Sequence, residues 1–221
     1  MKKVTFQDVL ANEEFRVYVE KGNELLGVLG YTDHSAAHTL KVGEAAAHLL
    51  TTLGYSEDTA DLAHIAGYIH DIGNMVNRVD HAQTGAIIAF QLLTKMDMPP
   101  QDIAAIVSAI GNHDEGTGTA ISPLSAAIII ADKTDVRRSR VRNTDFATFD
   151  THDRVNYAVT SGGLTVDAAT REVLLTITID SSICSVIDYF EIFLSRMLMC
   201  RRAADMLKAS FGLIVNGSRI L

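Results

Sequence analysis

The sequence predicts a mainly α protein, in which an all-α domain is followed by a small α+β domain. From Phe6 to about Arg142 the apolar residues recur with helical spacing. Over residues 174–180 apolar and polar side chains instead alternate, which is the period of a half-buried strand. Between these regions, residues 144–153 are polar and show no apolar period. We therefore predict three segments: a helical domain over 1–143, a linker over 144–153 and an α+β domain over 154–221.

The helical domain is predicted to contain five or six helices with short connections. Ser56, Asp80 and Ser122 each precede an apolar helical pattern and are predicted to cap a helix N-terminus. The pair Pro99-Pro100 interrupts the chain and leads into another helix. These start signals divide the apolar pattern into separate helices.

The α+β domain is predicted to be a sheet of about four strands that packs against one long helix. Gly162-Gly163 and residues 167–170 are predicted connections between strands. The helix ends near Lys208 and carries an apolar stripe, which we expect to face the sheet. The predicted strands are Val155 to Ser161, Leu164 to Val166, Val173 to Ile179 and Gly212 to Asn216. The stripe consists of Ile183, Val186, Ile187, Phe190, Leu194, Met197 and Leu198.

Composition limits the classes of partner. The formal net charge of −8 disfavours broad binding to nucleic acid or to an anionic membrane. The only cysteines, Cys184 and Cys200, disfavour a disulfide framework and favour a reducing compartment. Neither a signal peptide nor an apolar run long enough to cross a bilayer is recognisable. We expect a soluble cytoplasmic protein that binds neither nucleic acid nor a membrane.

The adjacent pair His70-Asp71 is the strongest chemical signal in the chain. It lies among apolar residues such as Ile69 and Ile72, which are expected to face a core. An uncompensated His-Asp pair in that setting would cost several kcal/mol of desolvation, whereas a bound cation would hold both groups. The pair therefore predicts a metal site.

Four further residues occur in or beside apolar helical patterns and complete a candidate ligand set. They are His38, His81, His113 and Asp132. A set of nitrogen and oxygen ligands without sulfur suits Mn, Fe, Co, Ni or Zn and disfavours calcium. A lone histidine of this kind is more often an ordinary core or surface residue, so the prediction depends on the ordered set. His48, His64 and His152 are expected to be structural or solvated.

The order of these residues and the sequence around each of them resemble the HD phosphohydrolase superfamily. The resemblance covers roughly residues 30 to 142, and the two additional histidines, His81 and His113, resemble the branches with two metals. Asn74 and Asp114 depart from the cyclic dinucleotide phosphodiesterase pattern, so the chain resembles the dinucleoside tetraphosphate hydrolases more closely. The matching strings are His38-Thr39-Leu40-Lys41-Val42, Ile69-His70-Asp71-Ile72-Gly73, His81-Ala82-Gln83-Thr84-Gly85, Ile110-Gly111-Asn112-His113-Asp114-Glu115 and Ile130-Ala131-Asp132-Lys133.

This resemblance implies a mainly α HD-type helical domain that uses divalent transition metal ions, two in number, to cleave a phosphoester or phosphoanhydride with water. In the implied arrangement Asp71 bridges the metals. His38, His70 and Asp132 hold one metal, and His81 and His113 hold the other. The expected substrate is a small phosphorylated molecule, a nucleotide or dinucleotide. The alternative is a nucleotide-binding regulatory module that retains metals without turnover.

Residues near the predicted ligands are candidates for substrate contact. Lys133 adjoins Asp132 and is expected to offset charge on the phosphoryl oxygens, so it is a candidate catalytic and substrate-binding residue. Arg137 and Asp135 are further candidates, although the cations after Asp132 also suit a solvated helix end. His34 shares a helix face with His38 and is therefore also a candidate for substrate contact. The roles of Asp114 and Glu115 are undecided: either could be a metal ligand or could support His113.

Apolar residues also lie off the stripe of the long C-terminal helix. They are Tyr189, Ile192, Phe193, Met199 and Cys200. A lone small domain would leave this surface in water, so either the helical domain or a second copy is expected to cover it. Because twofold dimers are the commonest assembly, we expect a homodimer with this helix at or near the interface.

Overall fold

The computed structural model describes residues 3–221 and is mainly α, as the sequence predicts. The helices are α1 (Phe6–Ala11), α2 (Glu13–Val28), α3 (Ala36–Thr52), α4 (Glu57–Ile69), α5 (His81–Lys95), α6 (Pro100–Gly111), α7 (Pro123–Lys133), α8 (Thr151–Ala158) and α9 (Val186–Met206). The strands are β1 (Val159–Asp167), β2 (Glu172–Ile179), β3 (Ser210–Val215) and β4 (Ser218–Arg219). None of the described helices combines the length and the apolar character needed to cross a membrane.

The predicted helix starts are largely confirmed. Ser56 accepts a hydrogen bond from the Thr59 amide at the start of α4, and Ser122 forms a capping box with Ser125 at the start of α7. Asp80 is the exception, because its side chain makes no capping hydrogen bond and its φ of 56° is left-handed. The α5 helix therefore begins without the predicted cap.

Helices α3 and α4 cross in close contact through two glycines. A Cβ atom placed on Gly67 would lie 2.7 Å from Cα of Gly43, and one on Gly43 would lie 2.7 Å from the carbonyl oxygen of His64. Real Cβ atoms do not approach so closely, so both positions require glycine. This close approach brings the start of α3, with His38, toward the end of α4, with His70.

A second close contact joins the segment after α4 to the start of α5. Residues Ile72–Met75 form a short 3₁₀ helix directly after Asp71. A Cβ atom on Gly73 would lie 2.0 Å from the carbonyl oxygen of His81, which leaves no room for a side chain. Because glycine has no side chain, the backbone next to Asp71 can lie directly against the N-terminus of α5.

The C-terminal sheet has the order β1-β2-β3-β4. The β1 and β2 strands are antiparallel, as are β3 and β4, whereas β2 and β3 are parallel and are connected through α9. Such a parallel connection requires a crossover, and the long helix supplies it.

The predicted strand boundaries near β1 are wrong in two places. Residues 155–158 belong to α8, because Asp150 accepts a hydrogen bond from the Asp153 amide and starts a helix there. The predicted Gly162-Gly163 connection lies inside β1, where both glycines pair with β2. The predicted linker also contains a 3₁₀ turn, Phe146–Thr148.

The predicted orientation of α9 is wrong in part: Met197 of the stripe is buried and the helix contacts β3, but other stripe residues face solvent. Ile187 and Leu194 of the apolar stripe are 74% and 50% exposed, whereas Tyr189 and Phe193 are buried. Helix α9 packs against α7, so the helical region covers the surface that the sequence left without a partner. Buried residues of both regions join in one continuous core, and the division into separate domains stays a prediction.

Candidate metal centre

The six predicted ligands come together although they lie on five different parts of the chain. His38 lies in the first turn of α3, and His81 is the first residue of α5. His70 and Asp71 follow α4, His113 follows α6, and Asp132 lies in the last turn of α7. Each ligand position is thus a helix end, where the chain can present side chains to a common point.

Asp71 lies between two groups of histidines. Its Oδ2 atom is 3.3 Å from His70 Nε2. Its Oδ1 atom is 3.3 Å from His81 Nε2 and 3.7 Å from His113 Nε2. The two oxygens of one carboxylate therefore face opposite groups, which is the arrangement that a bridging ligand requires.

Asp132 belongs to the first of these groups. Its Oδ1 atom lies 3.3 Å from His38 Nε2 and 3.7 Å from His70 Nε2. In the second group, the Nε2 atoms of His81 and His113 are 3.2 Å apart. Three sets of donor atoms lie within 4.8 Å of one another: His38, His70 and Asp71; His70, His113 and Asp132; Asp71, His81 and His113.

All four histidines present the same ring nitrogen to the cluster. The Nδ1 atoms of His70, His81 and His113 are 2.7 to 3.0 Å from backbone carbonyl oxygens, and Nδ1 of His38 is 2.8 Å from Asp135 Oδ2. Donation from Nδ1 to these acceptors places the Nε2 lone pair toward the cluster. Metal-binding histidines are fixed in this way by their outer hydrogen bonds.

The donor set fits divalent transition metal ions. His38 and His70 are completely buried, and their Nε2 atoms have no hydrogen-bond partner among the described residues. Buried polar atoms without partners are uncommon and costly, and a metal ion would satisfy both nitrogens. Imidazole and carboxylate donors without sulfur suit Mn, Fe, Co, Ni or Zn.

Both carboxylates of the cluster are held ionised. Burial raises the pKa of Asp71, but His70, His113 and His81 outweigh burial and hold it well below its usual range. Burial likewise raises the pKa of Asp132, and Lys133 and His38 hold it well below its usual range. Ionised carboxylates are the form that binds cations.

A cavity of about 310 Å³ opens onto the cluster, with Asp71, His81, His113 and Asp132 in its wall. Its other wall residues are Leu29, Gly30, Tyr31, Thr32, His34, Arg78, Lys133, Arg140, Asp150, His152, Asp153, Asn156, Phe193 and Arg196. The size and the mixed polar and apolar lining suit a small-molecule site. The wall includes residues of α8 and α9, so the C-terminal region helps to enclose the candidate site.

Lys133 lies in a buried network of charges beside the cluster. Its Nζ atom is 2.7 Å from Asp132 Oδ2 and 2.6 Å from Glu115 Oε2. Glu115 Oε1 in turn accepts a 2.6 Å hydrogen bond from Nε of Arg196 on α9. Burial raises the pKa of Glu115, but Lys133 and Arg196 outweigh it and lower that pKa to about 2.

The residues that the sequence predicts for substrate contact fall into two groups. His34 and Lys133 line the cavity. Asp135 and Arg137 do not, because Asp135 lies behind His38 and Arg137 donates to Asp135. Asp135 therefore orients a candidate ligand and is not placed to touch a substrate.

Several residues of the cavity wall lack a local sequence signal. Arg78, Arg140 and Arg196 are far apart in the chain, and only the fold brings them to one cavity. His152, which the sequence suggests is solvated, lies in the cavity wall. His64 stacks on Phe6 at 3.4 Å between ring centroids, away from the cluster, as its helical position predicts.

The chain is similar to one protein family, to one uncharacterized protein and to one solved structure. The HD domain family model matches residues 36–137, which include all six candidate ligands. An uncharacterized protein of Methanocaldococcus jannaschii is 27% identical over 163 residues, and the match covers 63% of this chain and 62% of that relative. The chain thus spans less than two thirds of the relative's length. A solved structure of a predicted HD superfamily hydrolase from an uncultured Thermotogales bacterium aligns with a TM-score of 0.44 and 25% identity, covering 56% of this chain and 67% of that chain.

Proposed function

We propose that the protein is a metal-dependent phosphohydrolase acting on a small phosphorylated molecule, because the HD domain family model matches residues 36–137 of this chain. HD domains bind divalent metals, and the buried His/Asp cluster at the floor of a small-molecule cavity is the observation that carries this proposal. No nucleophilic side chain is needed for this chemistry, since water attacks phosphorus directly.

We propose two metal sites that share Asp71. His38, His70 and Asp132 would hold one ion, and His81 and His113 would hold the other. Support comes from the two oxygens of Asp71, which face different histidine groups. When bound, two divalent ions supply Lewis-acid activation of water and of the phosphoryl group.

Lys133 is the proposed protein group that acts on the substrate. Its ammonium group lines the cavity beside Asp132, so it can donate a hydrogen bond to a phosphoryl oxygen and offset negative charge there. Glu115 anchors Lys133 from the other side. Burial lowers the pKa of Lys133, but Asp132 and Glu115 outweigh burial and raise it, so the ammonium stays charged.

The substrate is proposed to be a nucleotide or dinucleotide. Tyr31 and Phe193 supply aromatic surface to the cavity wall, and Asn156 and Asp153 supply hydrogen-bonding groups for a polar leaving group. Resemblance to the dinucleoside tetraphosphate hydrolases within the HD superfamily stays a prediction.

Phosphate release tests the proposal. Full-length protein loaded with Mn²⁺, Fe²⁺ or Co²⁺ is offered a panel of nucleoside monophosphates, diphosphates and dinucleoside polyphosphates. We expect turnover of at least one member by the wild type, none by His70→Ala, and unchanged turnover by His48→Ala, whose imidazole is exposed and outside the cavity. A loaded protein that binds metal but hydrolyses no member would contradict the phosphohydrolase and favour a binding module.

A further inference from the structure

Two arginines from different elements of the chain line the cavity. Arg140 follows α7, and Arg196 lies on α9. The Arg140 side chain is 7% exposed and that of Arg196 is 27% exposed, so both guanidinium groups lie in a partly buried setting. Each guanidinium group has one nearby carboxylate outside the cavity wall: Glu115 lies 2.6 Å from Arg196, and Asp135 lies 3.9 Å from Arg140.

Both guanidinium groups are held in place by hydrogen bonds to neighbouring residues. Arg140 donates from Nε to the Asp33 carbonyl and from Nη1 to the Asp135 carbonyl, each at 2.9 Å. Arg196 donates from Nε to Glu115 and packs over the Phe193 ring at 4.8 Å. Among residues 3–221, the remaining donors, Nη2 of Arg140 and both Nη atoms of Arg196, have no hydrogen-bond partner. The two side chains are thus fixed in place with unused donors.

Among the described residues, the carboxylates of the cavity wall form no ion pair with either arginine. Asp71 and Asp132 belong to the metal cluster. Asp150 and Asp153 lie at the N-terminus of α8, where the helix dipole favours them, and neither pairs with an arginine in the described part of the chain. Arg140 approaches Asp135 only at 3.9 Å, and Asp135 is already bound to His38 and Lys41.

We propose that Arg140 and Arg196 form a second anion subsite, which binds a phosphoryl group other than the one that is attacked. The preferred substrate would then carry two phosphoryl groups, as in a nucleoside diphosphate. Guanidinium donors suit phosphate oxygens, and each such charge-assisted contact is strong in a partly buried site. This inference rests on the proposed function for the identity of the reaction, but the subsite itself can be tested by binding alone.

The binding test compares inorganic pyrophosphate with orthophosphate by calorimetric titration of Mn²⁺-loaded full-length protein. The readout is the ratio of the two Kd values. Wild type and variants make the same contacts between the anion and the metals, so a change in this ratio reports the subsite. We expect Arg196→Met to reduce the preference for pyrophosphate by about 30-fold, the effect of losing charged hydrogen bonds. Arg201→Met is the matched control, since Arg201 is exposed on the same helix and outside the cavity. Arg140→Lys, which keeps the charge at the buried position, should reduce the preference less.

Two results would overturn the subsite. One is a wild-type protein that binds both anions equally. The other is an Arg196→Met variant that weakens both anions by the same factor, because the arginine would then act on the attacked phosphoryl group. Failure of the proposed function would give a different result. The protein would hydrolyse no phosphoester but would still prefer pyrophosphate in a way that depends on Arg196. That result would support the subsite and contradict the enzymatic function.

Discussion

In the proposed metal centre, Asp71 is the residue that joins the two groups of ligands. Its two oxygens face the His38 and His70 group on one side and the His81 and His113 group on the other. The outer hydrogen bonds differ between these histidines, because only His38 donates to a carboxylate, Asp135. A hydrogen bond to a carboxylate is stronger than one to a carbonyl oxygen, so the ring of His38 is expected to be the most firmly oriented of the four.

Replacement of His81 separates the two proposed metal sites. We expect His81→Ala to lower the metal content from two ions to one per chain, because the set around His38 stays intact. Elemental analysis after reloading and gel filtration measures this directly, with His48→Ala as the control that keeps two ions. A His81→Ala protein that still holds two ions would show that another group, such as Asp114 at 3.9 Å from His81, supplies the site.

At the scale of elements, the crossing of α3 and α4 positions two candidate ligands. We expect Gly67→Ala to destabilise the protein by about 1–3 kcal/mol, because the new methyl group would force the helices apart. Denaturant unfolding measures this change. Gly111→Ala is the matched control, since its Cβ would meet only Ala86 at 3.7 Å, an ordinary contact. Equal effects of both substitutions would contradict the close-packing account.

The α4 helix also carries a pH-dependent contribution to stability at His64. Burial lowers the pKa of His64 from its ordinary 6.5, and Glu44 and Asp61 only partly oppose this. The folded state therefore binds fewer protons at this position than the unfolded state, and stability falls as the pH drops below 6.5. We expect His64→Gln to flatten the pH dependence of the free energy of unfolding between pH 6.5 and 5. An unchanged slope would show that His64 does not contribute.

The helices were predictable because periodicity and capping are local signals. Ser56 and Ser122 cap helices as predicted, and the six candidate ligands follow from their order in the chain. Strand limits were harder to predict, because the Gly162-Gly163 pair reads as a turn until its pairing with β2 is known. The arginines of the cavity were not predictable, since their meeting depends on tertiary packing.

At the scale of the whole molecule, α9 joins the C-terminal region to the candidate site. Tyr189 and Phe193 pack inward, and Phe193 and Arg196 reach the cavity wall. The helical region and the C-terminal region therefore share one core and one cavity. Changes in the C-terminal region are expected to alter substrate recognition as well as stability.

The homodimer stays a prediction, and the structure changes the residues that test it. Ile187 and Leu194 lie seven residues apart on the exposed face of α9, so this apolar face is the candidate interface. We expect the wild type to be dimeric and Ile187→Asp to be monomeric by light scattering at micromolar concentration. A monomeric wild type would contradict the predicted dimer. A dimeric Ile187→Asp protein would show that the interface lies elsewhere.

We propose that one buried cluster, joined by Asp71, holds two divalent ions. Calorimetric titration of chelator-treated protein with Mn²⁺ tests it most directly, in the wild type and in Asp71→Asn, which keeps the size of the side chain but removes its charge. We expect two bound ions per chain in the wild type and a loss of affinity at both sites in Asp71→Asn. A wild type that binds no metal, or an Asp71→Asn variant that binds two ions as tightly as the wild type, would contradict it.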